Sequence, residues 1–340
     1  MKQAFRGMAL SLALLMLFAG SAFAADNVTV EAGEKTAETV QNITQQTAAV
    51  ATAGITSSIM ARTNTVMGVG GGLYSPSGNA GGSASGKSSG NGDNGVGVWA
   101  MGNYYYLDKS GSGKYDGDLF MITAGVDKRF GRALVGVSFG GEWLDLDTKG
   151  GGSFEYGGFN VTPYLSYMIT DSVLADFSVG YTWLDNDVDS KDALGRKLSD
   201  DYDSWRLFTA GGVTKFWNYN AWNFSARLGA LYLHQSDDGF NLKGNTNVDG
   251  FRVNSSDYDL FQMQLGGRVG YTMGNITPFL GVTYYQDIAK SGKDDDMAGG
   301  DLDLGVNIKN GPFSMGLTGT YGVREDFQKV GGTLNFRYEF

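Results

Sequence analysis

From Val96 onward, apolar residues return at every other position, and the residues between them are small rather than charged. Ala133, Val135, Val137, Phe139 and Trp143 share one face of a strand, opposite Leu134, Gly136, Ser138, Gly140 and Glu142. Phe159, Val161, Pro163, Leu165 and Tyr167 oppose Asn160, Thr162, Tyr164 and Ser166 in the same way. The pattern returns at Val173 to Trp183 and again at Phe313 to Tyr321. A soluble sheet sends its apolar face to a core and covers the other with Lys, Glu and Thr. Here the second face is Gly, Ser, Thr and Asn, with isolated charges at Glu142, Asp176, Arg227 and Arg268. That is the inverted pattern of a barrel in lipid, whose apolar side faces outward and whose small, polar side lines a lumen.

Loop lengths point the same way. Tight connections at 130–132, 170–172, 217–221, 274–276 and 309–312 alternate with acidic or glycine-rich ones at 109–114, 148–153, 186–204, 235–258, 290–297 and 324–328. Short turns on one side and longer loops on the other characterise outer-membrane barrels. The breaks delimit about twelve strands by the alternation rule, and an even number leaves both barrel termini on the short-turn side. Tyr104 to Tyr106, Trp143, Trp183, Trp205, Trp217, Trp222, Tyr284 and Tyr285 sit near strand ends, where aromatic girdles form. The fold expected is an all-β, twelve-stranded antiparallel transmembrane barrel.

Composition removes the competing classes. Zero cysteines and a single histidine, His234, exclude thiolate or multi-histidine metal sites and cysteine nucleophiles, so no metal or cofactor is expected. A net charge of −10 argues against nucleic acid as a partner.

The first 95 residues read differently. Lys2 and Arg6, the apolar run from Met8 to Phe18, and Ala22-Phe23-Ala24 make a secretory signal peptide with cleavage near Ala24. From about 31 to 66, Val40, Ile43, Thr47, Ala51, Ile55 and Ile59 recur at helical spacing in a Thr-, Ala- and Gln-rich stretch. Threonine lowers helix propensity, so this helix needs an enclosing environment. The barrel lumen would provide one, with Val40, Ile43, Ile55 and Ile59 as its apolar contacts. Residues 68–95 have the Gly/Ser composition of a flexible linker. The chain thus divides into 1–24, 25–67, 68–95 and a barrel from 96 to 340.

In the last strand Leu334, Phe336, Tyr338 and Phe340 alternate, and the sequence stops on the aromatic Phe340. This ending resembles the assembly signal of bacterial outer-membrane barrels. Several internal segments resemble the translocator domain of autotransporters: Gly95-Val96-Gly97-Val98-Trp99-Ala100, Thr123-Ala124-Gly125-Val126-Asp127, Ala230-Leu231-Tyr232-Leu233-His234 with Asp238-Gly239-Phe240, and Ile276-Thr277-Pro278-Phe279. The resemblance implies a helix-plugged pore of type V secretion in a Gram-negative outer membrane. It also implies contact with outer-membrane lipid and lipopolysaccharide, assembly by periplasmic chaperones and the barrel-assembly machinery, and a monomeric state. With only residues 25–33 ahead of the helix after cleavage, a passenger-less or nearly passenger-less translocator is expected.

Three other readings follow from particular residues. The loop 235–258 could make the barrel a scaffold for adhesive or receptor loops. His234 and Ser236, two apart on one strand face, resemble the His-x-Ser pair of outer-membrane lipid hydrolases, but no Asn-Gly follows Ser236, so no catalytic residue is assigned. Asn64, with lumenal Glu142 and Asp176, could serve the asparagine self-cleavage found in some translocators, although the helix carries no recognisable cleavage motif. The acidic stretches 200–203 and 293–296 read as solvated loop tips rather than calcium loops.

Overall fold

The computed structural model describes residues 2–67, 96–111, 113–191, 195–244, 251–291, 297–310 and 313–339. One helix, α1 (Lys2–Met67), precedes fourteen strands: β1 (Val96–Lys109), β2 (Tyr115–Phe130), β3 (Ala133–Thr148), β4 (Ser153–Thr170), β5 (Val173–Lys191), β6 (Lys197–Tyr219), β7 (Trp222–Asp237), β8 (Phe240–Gly244), β9 (Phe251–Val253), β10 (Ser256–Tyr271), β11 (Ile276–Lys290), β12 (Ala298–Asn310), β13 (Phe313–Arg324) and β14 (Phe327–Glu339). Twelve of them pair antiparallel with their neighbours, and β1 pairs with β14 to close the ring, as at Ala100 with Phe336. The other two, β8 and β9, form a hairpin within the connection from β7 to β10.

The expected inside and outside faces hold. Val135, Phe139, Trp143, Phe159, Leu165, Phe177, Trp183 and Leu317 are exposed on the barrel exterior, whereas Ser138, Glu142, Asn160, Thr162, Ser166 and Thr182 are buried inside. On β3 the outward apolar run from Ala133 to Trp143 is about 34 Å long, or about 24 Å along the membrane normal at a strand tilt of about 45°, close to the apolar band of about 25 Å in such barrels. Aromatic pairs mark its two rims. Phe120 with Trp143 and Tyr181 with Trp205 stand at one, and Trp217 with Phe224 and Trp222 with Tyr271 at the other. Tyr105 and Tyr285 leave the expected girdle: by strand parity they point inward, Tyr105 being buried and Tyr285 lying under Arg324.

On the short-turn side, Gly131 (φ 57°) and Asn220 (φ 53°) take the left-handed backbone that two-residue hairpins require. In outer-membrane barrels such short turns are the periplasmic ones. Three loops expected on the other side are corrected. Residues 186–204 are largely strand, since β5 and β6 run on to Lys191 and from Lys197; the connections 149–152 and 325–326 are short. Asp200 to Asp203 therefore belong to β6, with Tyr202 buried, and are not a loop tip. Residues 293–296 lie outside the described residues, as do the linker 68–95 and Phe340.

Those strand extensions carry a row of outward carboxylates above the aromatic rim. Asp118, Asp145, Glu155, Asp187 and Asp201 are directly opposed, strand to strand, from β2 to β6. Like charges placed so repel. Partial burial, then Asp145 and Asp187, raise the Glu155 carboxyl above its usual range. A raised carboxyl favours the folded barrel fully below the ordinary carboxylate range, and that contribution is lost as pH rises through the raised value. Glu155→Gln should hence raise the melting temperature at neutral pH and flatten its decline with pH, as thermal melts in detergent would record.

Candidate functional site: the plugged lumen

The helix has been extended in both directions relative to expectation by only one residue at its C-terminal end, but back to Lys2 at its N-terminal end, through the segment read as a signal peptide. From Gly33 onward it occupies the lumen. Residues 33–67 are about 52 Å long at 1.5 Å per residue, more than the hydrocarbon core of about 30 Å. Val40, Ile43, Ile55 and Ile59 are buried against the wall, and Thr47 and Thr52 are as buried as they are. Burial of a Val or Ile side chain is worth roughly 1.5–3 kcal/mol. Three of the hydroxyls do not offset this, because the helix satisfies them itself: Thr47 donates to the Ile43 carbonyl (2.8 Å), Ser58 to Gly54 (2.8 Å) and Thr63 to Ile59 (2.9 Å), whereas the buried Thr52 hydroxyl has no such partner. A threonine-rich helix can therefore fill a polar pore without orphaned donors at those three positions.

Near the short-turn end a latch holds α1. Arg62 grips both oxygens of Asp127 on β2, each at 2.5 Å, and both side chains are almost wholly buried. The Tyr164 hydroxyl donates to Asp127 (2.9 Å) and accepts from the Trp99 indole (2.9 Å). Ser166 donates to the Thr63 hydroxyl at 3.1 Å, Asn103 donates to Ser58 at 3.2 Å, and the Arg129 guanidinium reaches the Val66 carbonyl. Toward the outer end, Tyr115 bonds Gln46.

The four charges expected in the lumen all lie inside, and each has a specific partner. Glu142 pairs with Arg206 (3.0 Å), and Arg206 also donates to Gln235. Asp176 takes Arg227 in a two-point contact, and Arg268 approaches Asp303 at 3.8 Å while lying over the Phe279 ring. Three further pairs or partners went unread in the sequence: Arg62 with Asp127, Arg324 with Asp287 (3.0 Å), and Lys329 with Asp301 (2.9 Å). Inward strand parity was the signal available for all of the wall residues.

The helix sits off-centre. A gap of about 200 Å³ separates its Ala53, Ser57 and Met60 side from Arg227, Arg268 and Thr318 on the opposite wall. The paired wall charges leave this gap without a one-signed field.

The remaining candidates are placed as follows. Glu142 and Asp176 are engaged by Arg206 and Arg227, while α1 near Asn64 meets the wall through Arg62 and Thr63. His234 lies on the exterior at the outer rim, its Nδ1 at 3.0 Å from Asp259, with Tyr232 also on Asp259 and Trp205 beside the ring. Ser236 is half-buried on that same outward face. Leu334, Phe336 and Tyr338 point into the lipid zone from β14. Among the described residues, no cluster of His, Cys, Asp or Glu is built to hold a metal.

Comparison with known proteins adds a family and a fold. The autotransporter β-domain family model matches residues 98–332. The translocator domain of the autotransporter NalP from Neisseria meningitidis superposes with a TM-score of 0.66 at 12% identity, covering 72% of this chain and 89% of that one. The β domain of the Bordetella autotransporter BrkA gives 0.62 at 18% identity, covering 72% and 100%. The transport unit of AIDA-I from Escherichia coli gives 0.52 at 12% identity, covering 72% and 90%. No curated protein matches the sequence.

Proposed function

The chain belongs to the autotransporter β-domain family, and from that premise we infer that its helix-plugged outer-membrane barrel exports the segment N-terminal to the lumenal stretch of α1 and then retains that stretch, residues 33–67, as the closure of the pore. The observation that carries this is the direction of α1. Its C-terminal turns are latched at the periplasmic end by Asp127 and Ser166, so its N-terminal end points out of the outer mouth. A chain held in this way has already delivered its N-terminal side outward. In this reading the segment before Ala24 is removed by signal peptidase, the outward Leu334, Phe336, Tyr338 and the terminal Phe340 present the assembly signal to periplasmic chaperones and the barrel-assembly machinery, and the monomeric barrel contacts phospholipid and lipopolysaccharide through its apolar belt.

In this reading the barrel serves as a passage and needs no chemistry of its own. The lumenal carboxylates Glu142 and Asp176 are paired with Arg206 and Arg227, and His234 meets Asp259 at a rim, away from the lumen. An epitope inserted after Ala25 should be labelled by antibody on intact cells, while one placed in the linker at 83–90 should be labelled only after the outer membrane is opened. Labelling of the linker epitope on intact cells would reverse the proposed direction.

A further inference from the structure

The lumen is not uniformly polar. At the outer mouth its wall turns apolar: inward Leu107, Leu119, Leu146, Phe154, Val188 and Leu198 gather around Val40 and Ile43 of the helix. The barrel alone does not complete this collar. Strands β8 and β9 bring Phe240, Leu242 and Val253 into it, all buried, and Phe240 stacks on Tyr202 at 4.6 Å. Phe251 lies against Gly33, where any side chain larger than hydrogen would overlap its ring. The hairpin is therefore fitted to the helix as well as to the wall.

Its attachment is slight. Among the described residues its backbone meets β6 at Leu198 with Gly244, at Ser199 with Lys243 and, just before β8, through the Asp238 amide on the Asp203 carbonyl (3.0 Å), helped by the Asn241 amide on Asp200 and the Lys243 ammonium at 3.6 Å from the same carboxylate. Below the collar the helix leaves the charged gap open on one side. Resistances along one path add, so the constriction that excludes water sets the whole, and an apolar constriction excludes water by dewetting.

We propose that the β8–β9 hairpin is the gate of this pore: the permeability barrier lies in the apolar collar at the outer mouth, and the charged gap beside the helix is a wetted vestibule. The gate rests on the reading of α1 as a retained plug, but it assigns the seal to a separate element. A hairpin joined to the sheet by few backbone bonds and seated mainly by side-chain packing can swing aside to let an exported segment pass and then close on the helix, while the twelve-stranded wall stays intact.

The test is single-channel conductance of the full chain in planar bilayers. Leu242→Asp places a charge in the collar and should raise conductance several-fold with the helix still in place. Gln264→Ala, which widens the vestibule, should leave it unchanged. Assembly of each variant is checked by the heat-dependent shift in gel mobility that folded barrels give. Should Leu242→Asp fail to assemble, Phe251→Ala, which opens the contact at Gly33, decides by the same criterion. Unchanged conductance in an assembled collar variant, or an equal rise in Gln264→Ala, overturns the gate. A chain lacking the helix that conducts like the intact one would instead remove the plug reading itself, so the two failures are separable.

Discussion

Deleting residues 31–66 should convert a nearly closed barrel into an open pore, with a large rise in single-channel conductance and a marked fall in melting temperature. Lumen width grows with strand number, and twelve strands enclose more space than Gly, Ser and Thr side chains fill. A helix of about 10–12 Å diameter takes up most of it. Without α1 the polar half of the wall becomes wet, and the collar residues Leu107, Leu119 and Phe154 lose the apolar contacts of Val40 and Ile43. A control deletion of 83–90, in the Gly/Ser-rich stretch ahead of β1, should leave both properties unchanged. Equal conductance with and without the helix would place α1 outside the pore.

The second large effect concerns the latch. Asp127→Ala leaves the Arg62 guanidinium, only 3% exposed, without its counter-charge. Stranding a buried partner in this way costs about 3–5 kcal/mol. The barrel wall need not absorb that cost, because the helix can leave its seat and carry Arg62 to water. Asp127→Ala should therefore make α1 sensitive to added protease and lower the first thermal transition, with the barrel still assembled. Arg62→Leu in the same chain removes the stranded charge and should restore most of the protection. A double variant as unstable as Asp127→Ala alone would show that Asp127 serves Tyr164 and Trp99 rather than the helix.

The barrel was legible because lipid imposes one rule on every strand it touches. On β3, β4 and β5 the period of two, the small lumenal residues and the aromatic rims read directly as inside and outside, and Glu142, Asp176, Arg227 and Arg268 fell on the correct side. Outside the membrane that rule stops. The extensions of β5 and β6 expose their outward face to water, so Asp185, Asp187, Asp189, Asp201 and Asp203 carry the composition of a loop while the backbone remains paired. The apolar collar was hidden for a related reason, since residues such as Leu146 and Leu198 alternate with these carboxylates and look like isolated apolar positions.

Partners within the site were beyond reach. Glu142 finds Arg206 across 64 positions and Arg62 finds Asp127 across 65. Curvature of a closed sheet and the rotation of the helix decide such meetings, and neither is written in local spacing. The helix itself was readable from Val40, Ile43, Ile55 and Ile59, but its off-centre seat and the hairpin that meets it at Gly33 depend on the shape of the lumen.

The position of α1 is the claim on which the account stands, and a disulfide reports it directly. The Thr63 and Ser166 hydroxyl oxygens are 3.1 Å apart, so sulfurs in their places lie within easy reach of a bond of about 2.05 Å. The chain has no cysteine of its own to compete. Thr63→Cys with Ser166→Cys should cross-link nearly completely in outer membranes from growing cells, giving a form whose gel mobility changes on reduction. A second pair, Ser178→Cys with Ala210→Cys, joins directly opposed lumenal positions of β5 and β6 and reports assembly of the wall. Cross-linking at both pairs is the expected result. Cross-linking in the wall pair with none between Thr63→Cys and Ser166→Cys would contradict a helix seated in the lumen.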